Sequence, residues 1–146
     1  MEIAYQNEFK DKVHECGTLL IRCMDFRFHK ALEDNIAEIV GEPACAFDSP
    51  GIGGGGSKSV IDEDSRKVVF GALDIAVSKH HVKRVIIADH IDCGAYGGSN
   101  QHQDAEAEEK FHIEKLNEAR EILQGAYPGL KIILLYQDWD SIKKIS

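Results

Sequence analysis

Two short segments hold the residues of this chain best suited to chemistry, Cys23-Met24-Asp25-Phe26-Arg27 and His90-Ile91-Asp92-Cys93-Gly94. Cys23, His90 and Cys93 offer two thiolates and one imidazole, a donor set that suits zinc. His90 and Cys93 stand three residues apart, a separation that lets both reach one ion from a single turn. Gly94, Gly97 and Gly98 allow that turn to bend tightly. The fourth position falls either to water, which leaves the site catalytic, or to the carboxylate of Asp25, which closes it. Arg27, two residues beyond Asp25, is placed to pair with that carboxylate. Taken singly, each residue has an ordinary explanation: a buried small thiol, a capping histidine, a surface ion pair of little energetic weight. Their convergence depends on the elements that carry them.

The pattern predicts an α/β fold, a single doubly wound domain spanning residues 1–146. Its sheet is mainly parallel, of about four strands in the order 2-1-3-4, with helices on both faces. Gly17 to Cys23 reads as the first strand. Leu32, Ile36, Ile39 and Val40 then fall at helical spacing, with Gly41 as the stop. Ala44 to Phe47 is a weaker strand, followed by a helix over 64–79 and a strand from Val85 to Ala88. The longest helix runs from about Asp104 to Gln124, and Ile132 to Tyr136 makes the last strand. Continuous apolar runs such as Ile132-Ile133-Leu134-Leu135 suit strands covered on both faces. Alternation of strand and helix suits parallel pairing by right-handed crossovers. In that order the first and third strands are neighbours, and their carboxyl ends open the crevice where such folds bind ligands. Both chemistry-bearing segments stand just past those two strand ends.

Other motifs carry less. Gly51-Ile52-Gly53-Gly54-Gly55-Gly56 matches G-x-G-x-x-G, yet Ser57-Lys58-Ser59 and an acidic stretch stand where a helix should open. A phosphate loop needs Lys directly after its last Gly, and Ser57 occupies that place. The segment reads as a flexible connection, with backbone N–H groups lining the crevice as the alternative. Cys16 and Cys45 read as packing thiols. His80-His81 ends a helix, where positive charge is favourable. His14, His29, His102 and His112 are scattered and receive no metal role, and Tyr96 borders the crevice without an assigned part.

Composition bounds the function. At 146 residues the chain has the size of one domain able to bury a core of its own. Seventeen basic against twenty-five acidic residues give a net charge of −8, which argues against nucleic acid or an anionic membrane as partner. The acidic residues at 104–109 and 62–64 read as solvated helix starts. No apolar run reaches the roughly 20 residues of a membrane span, and the first residues lack a signal-peptide pattern. With no sign of export the expected compartment is the cytoplasm, and the four cysteines form neither a disulfide framework nor a Cys-x-x-Cys pair.

Cys-x-Asp-x-Arg followed by His-x-x-Cys-Gly resembles the signature of the β-class carbonic anhydrases, in a compact, divergent form. The resemblance, traceable from about Gly17 to Gly98, implies one Zn2+ per chain held by Cys23, His90 and Cys93. It also implies an Asp25–Arg27 dyad, in which the carboxylate either ligates zinc in a closed state or is held by the arginine, leaving room for water. The implied activity is that of a lyase, reversible hydration of carbon dioxide to bicarbonate by zinc-bound hydroxide, and the implied assembly is a homodimer. Three departures stand out. Phe26 replaces the serine common between the Asp and Arg. Asp48-Ser49-Pro50-Gly51 replaces an Arg-Asn-Ala-Gly-like turn. Only about sixteen residues precede the first strand, where the family carries a long helical arm. Other readings are a zinc hydrolase of carbonyl sulfide or carbon disulfide, a closed Cys-His-Cys-Asp zinc protein without activity, and a nucleotide module on the glycine loop.

Overall fold

The computed structural model describes residues 15–42, 46–50 and 56–146. His14, Cys45 and Gly51 to Gly55, and what is expected of them, lie outside these residues. Five strands form one sheet in the order β2-β1-β3-β4-β5. They are β1 (Thr18–Arg22), β2 (Phe47–Asp48), β3 (Arg84–His90), β4 (Lys131–Gln137) and β5 (Ile142–Ile145). The first four pair in parallel, and β5 closes the β4 edge antiparallel. Among the described residues four α-helices accompany them: α1 (His29–Val40), α2 (Gly56–Ile61), α3 (Glu63–His80) and α4 (Ala105–Ala126).

Alternation along the strands divides the core in two. Leu19, Ile21, Val85, Ile87, Leu134 and Tyr136 point to one face, where Val60 of α2, Val69 and Leu73 of α3, and Leu116 and Leu123 of α4 cover them. Leu20, Ile86, Ala88, Ile133 and Leu135 point to the other face, against Leu32 and Ile36 of α1. Strands buried on both sides have no polar face to show, which is why they read as unbroken apolar runs. Gly41, at φ 75°, ends α1 where expected.

Two elements depart from the sequence reading. The segment Ile142-Lys143-Lys144-Ile145 has the lysines that keep a sheet edge from pairing further, so its short charged pattern hides a strand. Lys143 ties β5 to α4 through Glu109, at 2.6 Å. The second departure is α2, which opens at Gly56, directly after the glycine run. Gly and Ser are poor helix formers, so this helix is held by tertiary burial: Gly56, Ser57, Ser59 and Val60 are all buried. A side chain at Gly56 would collide with the Ala88 carbonyl and stand 2.8 Å from Asp89 Oδ1. The close approach of α2 to β3 therefore requires glycine there. Among the described residues the second strand covers Phe47–Asp48.

Candidate metal centre

Register explains how the two segments meet. Arg22 of β1 is opposite Ala88 of β3, so Cys23 leaves the sheet beside the last residues of β3. His90 is itself the final residue of β3, one place earlier in the architecture than expected, and Cys93 follows after a turn. The ligand atoms of Cys23, His90 and Cys93 all lie within 4.8 Å of one another. His90 and Cys93 are buried, and Cys23 is half-buried.

The turn between His90 and Cys93 is built for this convergence. Asp92 takes a left-handed backbone, φ 56°, which Asp tolerates better than most residues. Its N–H donates to Glu108 Oε1 at 2.7 Å, and its Oδ1 accepts the Ser99 N–H at 3.1 Å. Gly97 and Gly98 follow with positive φ, as the tight turn predicts. The Phe28 ring stacks on His90 with centroids 4.4 Å apart and fixes the plane of the imidazole.

The His90 ring has one nitrogen bonded and one free. Its Nδ1 lies 2.7 Å from the Ile91 carbonyl and donates to it, which leaves Nε2 as the free nitrogen. That Nε2 is buried with no hydrogen-bond partner. A buried nitrogen without a partner is costly, and a cation seated between it and two sulfurs removes the cost. The donor set and the orphaned nitrogen both fit zinc.

The charges agree. A hydrogen bond from Cys93, helped by His90 and against the effect of burial, draws the Cys23 thiol down to about 4. Cys93 is driven the opposite way, because it supplies that hydrogen bond and is buried. The two sulfurs share one proton, the expected behaviour of a close pair of acids. Burial opposes protonation of His90, yet the Cys23 sulfur and the Ile91 carbonyl outweigh it and raise its pKa. Without metal the cluster thus holds a thiolate whose charge the shared proton and the His90 ring offset, the part a cation would take over.

Asp25 does not join the three donors. It caps a short 3-10 turn at Phe26–Phe28 and is gripped by Arg27. Arg27 Nη2 donates to Oδ2 at 2.6 Å, Nε reaches both oxygens at 3.0 and 3.1 Å, and the Arg27 backbone N–H donates to Oδ1 at 3.1 Å. These bonds to Arg27 hold the Asp25 carboxyl down at about 2, well below its usual range. Arg27 has a second partner: Nη1 donates to Asp92 Oδ2 at 3.0 Å. The guanidinium therefore links the turn after β1 to the turn after β3. Beside it, Cys23, Met24, Asp25, Phe26, Arg27, Gly94 and Ala95 line an open cavity of about 650 Å³, with Phe26 84% exposed.

Behind the cluster lies a buried polar network that the spacing did not reveal. Asp89, 3% exposed, accepts from the Ser57 N–H at 2.7 Å and the Ser57 hydroxyl at 2.5 Å. His112, fully buried on α4, has its Nδ1 3.1 Å from the same carboxylate. Tyr96 hydroxyl stands 2.9 Å from Ser57 Oγ, which gives that residue a definite place. Glu108 is also buried, rather than part of a solvated helix start; besides Asp92 it accepts the Ser99 hydroxyl at 2.7 Å. The sequence signal that could have found Glu108 and His112 is their spacing of four on α4, in line with Leu116, Ala119 and Leu123 on its buried face. His102 packs on Phe111, centroids 5.0 Å apart, and is not among the clustered donors.

An open parallel α/β sheet with a Cys-His-Cys cluster at the carboxyl ends of its first and third strands describes a recognised class of fold. A β-carbonic anhydrase of Aspergillus fumigatus matches it with a TM-score of 0.59 and 17% identity, over 90% of this chain and 76% of that one. A structure described as one of two tetrameric β-carbonic anhydrases of Sordaria macrospora matches at 0.58 and 16% identity, over 90% and 81%. The sequence model of a family described as "Putative carbonic anhydrase" matches residues 13–145, and the chain belongs to that family. An uncharacterized protein of Rickettsia conorii is 27% identical over 97% of this chain and 78% of its own length. One of Rickettsia bellii is 26% identical over 97% and 88%. No helix among the described residues is long and apolar enough to cross a membrane.

Proposed function

We propose that this protein catalyses the zinc-dependent, reversible hydration of carbon dioxide to bicarbonate. The observation that carries the reading is the buried, unpartnered Nε2 of His90 among the sulfurs of Cys23 and Cys93, with Asp25 drawn aside by Arg27. Cys23, His90 and Cys93 would hold one Zn2+. Zinc supplies a lowered pKa for water, so that a nucleophile exists near neutral pH.

The chain's own residues do the rest. Arg27 keeps Asp25 ionised and turned to itself, so that with zinc held by Cys23, His90 and Cys93 the fourth position would fall to water. Three N–H groups of Arg27 occupy most of the four acceptor positions of the carboxylate. The remaining position accepts a hydrogen bond from the reacting water and orients it. A carboxyl held at about 2 is too weak a base to keep the proton, which passes to buffer. Met24, Phe26 and Ala95 give the approach an apolar lining suited to an uncharged gas. The same lining is the one feature favouring carbonyl sulfide or carbon disulfide as substrates.

The test is zinc content together with stopped-flow hydration of carbon dioxide at two pH values on one preparation, with the sulfur gases assayed beside it. A chain holding a full equivalent of zinc yet inert toward carbon dioxide between pH 6.5 and 9 would overturn the proposal.

A further inference from the structure

A second cluster of unlike donors lies at the opposite end of the sheet. Cys16, Asp48 and His80 bring a sulfur, a carboxylate oxygen and an imidazole nitrogen all within 4.8 Å of one another. Cys16 stands before β1 and Cys23 after it, so the two clusters are separated by a strand length of roughly 20 Å. The second cluster is therefore no extension of the first.

We propose that Cys16, Asp48 and His80 form a second binding site for a divalent metal ion of the zinc type. Three separate elements deliver the three donors. β2 sets Asp48 opposite Leu19, and α3 ends on His80. The Cys16 N–H donates to the His80 carbonyl at 3.0 Å, which pins the start of β1 to the end of α3. Asp48 Oδ2 already lies 2.5 Å from His80 Nδ1. Burial, followed by the hydrogen bond to Asp48, raises the pKa of the Cys16 thiol. Without an ion, then, the carboxylate is the common acceptor of both neighbours.

An ion takes over that role. Tetrahedral zinc spaces its donors roughly 3.3–3.8 Å apart, so the Asp48–His80 pair would open by about 1 Å and the sulfur close in. The thiol proton is released to solvent, and the sulfur binds as thiolate. Sulfur, nitrogen and oxygen together select a borderline ion over magnesium or calcium, which prefer oxygen alone. Two further features favour a cation. The carboxyl end of α3 is the negative end of the helix dipole. Cys16 and His80 also line an open cleft of about 440 Å³, bordered by Glu15 and Glu42 together with Lys83 and Arg84, which gives an ion a path in. Three protein donors leave a fourth position for water. The ion would clip the start of β1, β2 and the end of α3 together.

The test uses the intact native chain first. Zinc-loaded protein is alkylated with iodoacetamide, and Cys16 is followed by peptide mapping with and without metal. Zinc should protect Cys16 independently of Cys23 and Cys93, and a chain carrying Cys23→Ser and Cys93→Ser should keep that protection. Metal analysis should find a second zinc equivalent that Cys16→Ser with His80→Asn removes while the first remains. Alkylation of Cys16 at one rate with and without zinc would overturn the site. Because Cys16 itself is the readout, failure here is distinct from failure of the Cys23–His90–Cys93 centre.

Discussion

Replacing Arg27 by Gln tests how the site is kept open. Arg27 lowers the Asp25 carboxyl from 3.8 to about 2, a gain on the order of 2 kcal/mol for the ionised form at face value. The Arg27 side chain is 34% exposed, so solvent screening reduces this to about 1 kcal/mol. That amount corresponds to about a fivefold change in the population of Asp25 turned toward the arginine. In Arg27→Gln the carboxylate is released toward the cluster, where it competes with water. Zinc content should hold or rise, while kcat/KM for carbon dioxide hydration falls at least about fivefold. Cobalt substitution reads the same event as a change in the ligand-field spectrum. Asp25 should also titrate near its ordinary value in the variant. In the native chain its depressed pKa gives stability that is full above about pH 4 and lost as pH falls through about 2. Unchanged kcat/KM at equal zinc content would refute the clamp.

Other outcomes follow from single contacts. In metal-free protein at neutral pH, iodoacetamide should modify Cys23 well before Cys93, because only Cys23 is held as thiolate; peptide mapping reads the order. Gly56→Ala drives a methyl into the Ala88 carbonyl and Asp89 and should cost about 1–3 kcal/mol, seen as a lowered denaturant midpoint. Glu108→Ala strips the Asp92 N–H and Ser99 hydroxyl of their acceptor and should cost about 2 kcal/mol. It should also loosen zinc, measured by competition with a chelator, since the Asp92 turn carries Cys93. Cys93→Ser should lose both zinc and activity, whereas Asp25→Asn should keep zinc and lose most activity.

The sequence by itself determined the central sheet and the meeting of the two motifs. Apolar runs at Thr18–Arg22, Arg84–His90 and Lys131–Gln137 are strong signals because each strand is covered on both faces. Parallel order then places Cys23 beside His90 and Cys93, since both motifs stand at the carboxyl ends of neighbouring strands. What sequence could not supply is anything created by burial from a distance. The helix at Gly56–Ile61 has poor intrinsic propensity and exists because α4 and β3 enclose it. Asp89, Glu108 and His112 are ordinary polar letters until packing buries them together, Asp89 against Ser57 and His112, and Glu108 under the turn it supports. The posture of Asp25 belongs to the same group. Its spacing from Arg27 allows a pair, but only the tertiary fold adds Asp92 as a second anchor from 65 residues away and turns the guanidinium into a clamp. Cys16 shows the same limit. Beside an apolar strand it reads as a packing thiol, and only folding sets Asp48 and His80 within reach of its sulfur.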